Sequence, residues 1–306
     1  METPVGEKIT TVLVDNIKEM VHHVATAHAR SLAHLRYCDV RLEVSERKAA
    51  AAENGASKFS GEDYGFSFGI RVLAGERMVA PGYFGRSLGA ADLDSLEKIL
   101  KEGIEKAYRR AMANGELKAT VREKFGSLGD SLTDTRLHPI QVRQDVVPAE
   151  YEIDPRTVNL REMECYTTDA SRQVGALHDG VKYNFISTMT QLGRELFASS
   201  EGGLIDQAFA LTQGMCFLVA VSNGTSQELY DVLGHQRGWE ILARGVNEPF
   251  MTFPPFIDFA LSLAREAVEL AAAPALPSTD REVVVVTDPH YNTLVSHEII
   301  GHPVEL

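Results

Sequence analysis

Near the end of the 306-residue sequence two histidines bracket a glutamate, in the run Ser296-His297-Glu298-Ile299-Ile300-Gly301-His302-Pro303-Val304-Glu305-Leu306. Neutral imidazoles hold a divalent ion, and a carboxylate beside them takes the proton of an attacking water; together they are the donor set of a hydrolytic zinc site. In that chemistry His297 and His302 are metal ligands and Glu298 is the general base. The interval sets this run apart from HExxH, whose histidines at i and i+4 stand roughly 40° apart around an α-helix. Here the second histidine is at i+5, which a regular α-helix turns away by roughly 140°, whereas a widened π-type turn returns it to roughly 50°. The motif therefore requires a bulged helix. Gly301 is placed to allow the widening, and Pro303 removes an N–H and biases His302 away from regular helix.

Other chemistry-bearing residues carry less. His22, His23, His28 and His34 fall on the opening helix with no carboxylate pattern accompanying them and read as a partly solvated face. His178 and His235 are isolated, and His290 lies seven residues before His297. Gly82-Tyr-Phe-Gly85-Arg-Ser-Leu-Gly89 imitates a dinucleotide loop with the wrong spacing. Cys38, Cys165 and Cys216 are odd in number and far apart, which suggests neither a disulfide framework nor a cysteine-only zinc site and reads as three buried thiols in a reducing cytoplasm. A net charge of −13 repels nucleic-acid phosphates and anionic lipid. Charged residues from Glu2 to Glu19 interrupt any leader or membrane span, so no direct nucleic acid and no membrane partner are expected.

The elements that must position the motif follow from periodicity. Apolar residues at helical spacing predict helices over about 9–35, 93–112, 158–177 and 257–272. Asp92 or Asp94 caps the second of these and Asn114-Gly115 closes it, near a domain boundary. Alternation predicts strands at 39–44, at 66–73 and 78–80 around a turn, and at 181–192, 194–199 and 208–222, the last ending in the turn Asn223-Gly224. The stretch 126–155 is rich in glycine and proline and reads as a surface connection. Just before the motif, Glu282-Val-Val-Val-Val-Thr reads as a strand buried on both faces. The class is α+β, with long helices packed on mixed or antiparallel sheets. Three regions are expected: an N-terminal α/β domain 1–115, a central domain with antiparallel strands 116–237, and the start of a C-terminal domain 238–306. Helix followed by sheet occurs at 9–85 and again at 156–230, as a diverged duplication would have it.

The terminal run resembles the HExxxH signature of TldD/PmbA-family metallopeptidases, which reads HE-x-x-GH-x-x-E. Earlier segments resemble the family in order: Gly65-Phe-Ser-Phe-Gly69-Ile-Arg-Val, Phe197-Ala-Ser-Ser-Glu201-Gly and Gly238-Trp239-Glu240. The resemblance spans residues 20–306 and implies a zinc peptidase of the motif-bearing, TldD-like type that cleaves short or unfolded peptides. It implies a homodimer or a heterodimer with a PmbA/TldE-like subunit, and a link to modulation of DNA gyrase. It also implies that the chain stops short of a β-rich C-terminal domain and of a cysteine that is the third ligand, leaving the active site incomplete. Glu305 matches a family glutamate that is either a substitute ligand or a support for a ring nitrogen. The competing expectation is a non-catalytic assembly or peptide-binding subunit that keeps the motif as a relic.

Overall fold

The computed structural model describes residues 9–132, 141–249, 251–275, 278 and 281–305. They fall into two units, 1–272 and 273–306.

In chain order the first unit contains α1 (Leu13–His23, continued by a π turn over Val24–His28), β1 (Leu35–Glu53), β2 (Ala56–Ala74), β3 (Ala80–Ser87), α2 (Leu96–Phe125), α3 (Ser127–Leu132) and β4 (Gln144–Val147). There follow α4 (Leu160–Ala176), β5 (Val181–Ser199), β6 (Leu204–Ser222), β7 (Thr225–His235), α5 (Glu240–Arg244), β8 (Val246–Glu248), β9 (Met251–Phe253) and α6 (Phe256–Ala272). The class is α+β. A seven-stranded sheet runs β3-β2-β1-β5-β6, with β7 antiparallel along the far half of β6 and β4 parallel along its start. Period-two alternation drives it: Val40, Leu42 and Val44 of β1 pair across to Ile70, Phe68 and Phe66 of β2, and all six are buried. Asn54-Gly55 and Asn223-Gly224 both have positive φ, the two-residue turn that suits the twist of a hairpin.

The succession helix, three-stranded antiparallel meander, helix occurs twice, as α1-β1-β2-β3-α2 and as α4-β5-β6-β7-α6, the second with α5, β8 and β9 inserted before its last helix, and β1 and β5 pair antiparallel between the halves. This gives the duplicated pattern of the sequence a structural counterpart. Each half has its own core: Leu42, Leu100, Ile104 and Ile70 in the first, Ile186, Leu218, Leu242 and Phe256 in the second. An ion network fastens α1 to the sheet. Arg194 of β5 grips buried Asp206 of β6 through two bonds of 2.7 Å and reaches Asp15 of α1 at 2.7 Å.

Several expectations change. The opening helix stops near Arg30. A 3₁₀ turn over Ala90–Ser95, in which Asp92 accepts the Gly89 N–H at 2.9 Å, leads into α2. That helix does not stop at Asn114-Gly115. Gly115 is a buried mid-helix residue whose missing Cβ would stand 2.4 Å from the Met78 carbonyl oxygen, so it permits close approach rather than termination. The runs 181–192 and 194–199 are one strand, β5: Gly193 does not break it, because the Phe209 ring of β6 fills the space over that glycine. Of the dinucleotide-like glycines, Gly82 and Gly85 belong to β3 and Gly89 precedes the 3₁₀ turn at Ala90–Ser95. The connection 126–155 contains α3 and β4, with 133–140 outside the described residues. The more polar β7 was not expected.

In the second unit lie α7 (Pro289–Ser296), a π turn (His297–Gly301) and α8 (His302–Val304). The valine run is not a buried strand. Among the described residues no strand pairs with it, and Val284 and Val286 are 93% and 91% exposed. Burial on both faces requires hydrogen-bonded neighbours and covering layers, which a four-residue apolar run cannot supply for itself. None of the described helices is long and apolar enough to cross a membrane.

Candidate metal centre

The helix that carries the motif starts cleanly. Asp288 caps it by accepting the Tyr291 N–H at 2.7 Å, and Pro289 occupies the first turn, where its missing N–H costs no hydrogen bond. After Ser296 the backbone widens, and the His302 N–H donates to the carbonyl of His297, five residues back. This is the π-type turn that the interval requires, and it brings the two imidazoles to one side. Their ring centroids are 4.6 Å apart at an interplanar angle of 80°. His297, Glu298 and His302 each offer a donor atom, all within 4.8 Å of one another, and they are the one such group of three or more among the described residues.

Glycine is not what makes the widening possible. Gly301 sits at φ −58°, ψ −65°, a conformation open to any residue, and a Cβ there would stand 3.6 Å from His297 Nδ1, an ordinary contact. Pro303 does not push His302 towards extended geometry either: His302 is helical at φ −59°, ψ −40° and begins α8, whose first turn tolerates the missing proline N–H.

His302 is held on both sides. Its Nδ1 lies 2.9 Å from Glu305 Oε2, and its Nε2 lies 3.7 Å from Glu298 Oε2. The side chains are open to solvent, His302 at 52%, Glu298 at 57% and Glu305 at 63%. Two imidazole nitrogens beside a carboxylate fit zinc, whose catalytic sites use three protein ligands and keep one position open. If Glu298 acts as base, the donors here number two, so a third must come from elsewhere.

The remaining candidates do not join this group. Cys38 and Cys216 are buried, and burial pushes each thiol up to about 12, far from a metal-binding thiolate. Cys165 is exposed, against the expectation of a buried thiol: it lies on the outer side of α4. His178 closes a turn by accepting the Gly180 N–H on Nδ1 at 2.8 Å. The opening-helix histidines form no donor cluster. Gly238-Trp239-Glu240 has a structural use that spacing did not reveal: the buried Glu240 carboxylate accepts N–H bonds from Gly238 at 2.9 Å and Ile153 at 2.8 Å. Asp288, which sequence reasoning passed over, was signalled by the Asp-Pro pair ahead of a helical run.

The fold is similar to that of solved structures of TldD/PmbA-like proteins. Two solved structures carry that likeness. One is a candidate modulator of DNA gyrase from Bacteroides thetaiotaomicron, with a TM-score of 0.53 at 9% identity, covering 84% of this chain and 50% of that one. The other is TldE from Thermococcus kodakarensis, with a TM-score of 0.50 at 9% identity, covering 85% and 47%. At such identities the likeness is one of fold, and the chain spans about half the length of the structures it matches. By sequence, no protein-family model and no curated relative matches.

Proposed function

We propose that the chain is the motif-bearing part of a metal-dependent peptidase subunit, zinc being the ion its donors suit, acting on short or unfolded peptides. One observation carries this reading: the π turn draws His297, Glu298 and His302 together in a chain whose first unit has the TldD/PmbA fold. His297 and His302 hold the ion, with a third ligand from outside this group. When bound, the ion supplies Lewis acidity to the scissile carbonyl and to water. Glu298 accepts the proton of the attacking water and delivers it to the departing amine, so one carboxylate serves as base and then as acid. Glu298 is solvent-exposed, which gives water direct access to it. In this reading the working form is cytoplasmic and pairs with a second copy or with a TldE-like subunit.

The exposure of the donors, with no third ligand besides Glu298 close to both imidazoles among the described residues, favours one rival, a peptide-binding or assembly subunit that retains the motif without turnover. Zinc titration and an unfolded-peptide cleavage assay separate the two. On the peptidase reading His297→Ala and His302→Ala each weaken zinc binding. Glu298→Ala keeps the metal and removes the cleavage seen when the chain is assembled with its remaining ligand. Cleavage that survives Glu298→Ala sinks the peptidase; zinc binding without cleavage in the assembled protein establishes the rival.

A further inference from the structure

We propose that Glu305 is a positioning residue that selects the ring nitrogen His302 presents to an ion, an inference that rests on the metal-site reading above. The carboxylate of Glu305 lies 2.9 Å from His302 Nδ1. A carboxylate only accepts, so in the neutral imidazole that short contact places the proton on Nδ1 and leaves the lone pair on Nε2. Nε2 is the nitrogen that faces Glu298, at 3.7 Å. The backbone holds this arrangement from both ends. The His302 N–H is bonded to the His297 carbonyl, and the Glu305 N–H is bonded to the Gly301 carbonyl at 3.2 Å and the His302 carbonyl at 3.3 Å. Glu305 then leaves the helix with extended dihedrals, φ −72° and ψ 132°, which ends α8 beside the ring.

The same geometry decides between the two roles the glutamate could have. The mutually close donors are His297, Glu298 and His302, and Glu305 is not among them. It contacts the opposite edge of the imidazole from the one that faces Glu298. Glu305 therefore supports a ligand instead of being one, and such outer partners fix tautomer and raise ligand basicity.

The test starts with the metal-free chain, labelled with ¹⁵N and held at a pH well above the ordinary histidine value so that His302 is neutral. Imidazole ¹⁵N–¹H correlation spectra are expected to show the Nδ1–H tautomer in the wild type, a shift towards Nε2–H in Glu305→Ala, and its retention in Glu305→Gln, whose amide oxygen accepts the same bond. Zinc titration of the same three proteins is expected to weaken about 10–100-fold for Glu305→Ala and by less than about tenfold for Glu305→Gln. Identical His302 tautomers in the wild type and Glu305→Ala overturn the proposal. So does a Glu305→Gln variant that keeps the tautomer yet loses zinc as heavily as Glu305→Ala, which would make Glu305 a ligand. A wild type that binds no zinc defeats the metal reading alone, because the tautomer spectra still decide what Glu305 does to the ring.

Discussion

Deleting Ile300 puts His302 four residues after His297. On a regular α-helix that interval separates the side chains by roughly 40°, so the deletion is expected to exchange the π turn for an α-turn and keep both imidazoles on one side. Ile299 and Ile300 are 66% and 63% exposed, so the excision removes no buried contact. Inserting an alanine after Ile300 does the opposite: six residues on an α-helix is roughly 240°, and one ring is lost to the ion. If a four-ligand zinc site is worth about 10–16 kcal/mol, one imidazole is worth about 2.5–4 kcal/mol, or roughly two to three decades in Kd. A competition titration against a chromophoric chelator, with helix content followed by circular dichroism, reads both variants. The deletion should bind zinc within about tenfold of the wild type and the insertion should fall by the two to three decades. A deletion that hurts as much as the insertion, or an insertion that binds normally, refutes the argument that ring direction along one bulged helix makes the site.

Removing Arg194 leaves the buried Asp206 carboxylate with Lys18 at 4.0 Å, so Arg194→Met should lower unfolding stability by about 3–5 kcal/mol in urea denaturation, and adding Asp206→Leu should recover much of it. Arg194 also holds the Asp15 carboxyl below its ordinary 3.8, chiefly through their hydrogen bond. A depressed carboxyl contributes stability that is present above the unfolded value and is lost as pH falls through the folded one. Wild-type stability should thus decline below about pH 4 through Asp15, and that acid limb should shrink in Arg194→Met. Native chain at pH 8 should take up one equivalent of a thiol reagent, at exposed Cys165, with Cys38 and Cys216 reacting only on unfolding; three fast equivalents would contradict their burial. Gly115→Ala should cost about 1–3 kcal/mol in a thermal melt, since the added methyl meets the Met78 carbonyl.

Much of the fold was legible because most strands here are buried on one face. Alternation through Val40, Leu42 and Val44 and the turn at Asn223-Gly224 announced their elements without any knowledge of partners. The second half of the hairpin at Asn54-Gly55 was hidden by a polar, exposed stretch of β2 from Ala56 to Tyr64, and β7 by Thr225–Tyr230, where neighbouring strands rather than apolar pattern define the strand.

Within the motif, the sequence by itself specified the donor types and the interval that calls for a widened turn, though not the part expected of Gly301 in it. Donor type and a five-residue interval are properties of one helix, and a shared side for the two rings forces the widened turn whatever surrounds it. Tertiary structure decided what depends on distant segments: that Gly115 faces the Met78 carbonyl, that Gly193 lies beneath Phe209, that Glu240 takes the Ile153 N–H, and that Cys165 faces outward. Each of these is a contact between residues that chain connectivity leaves free to be anywhere, so only the packed arrangement could fix it.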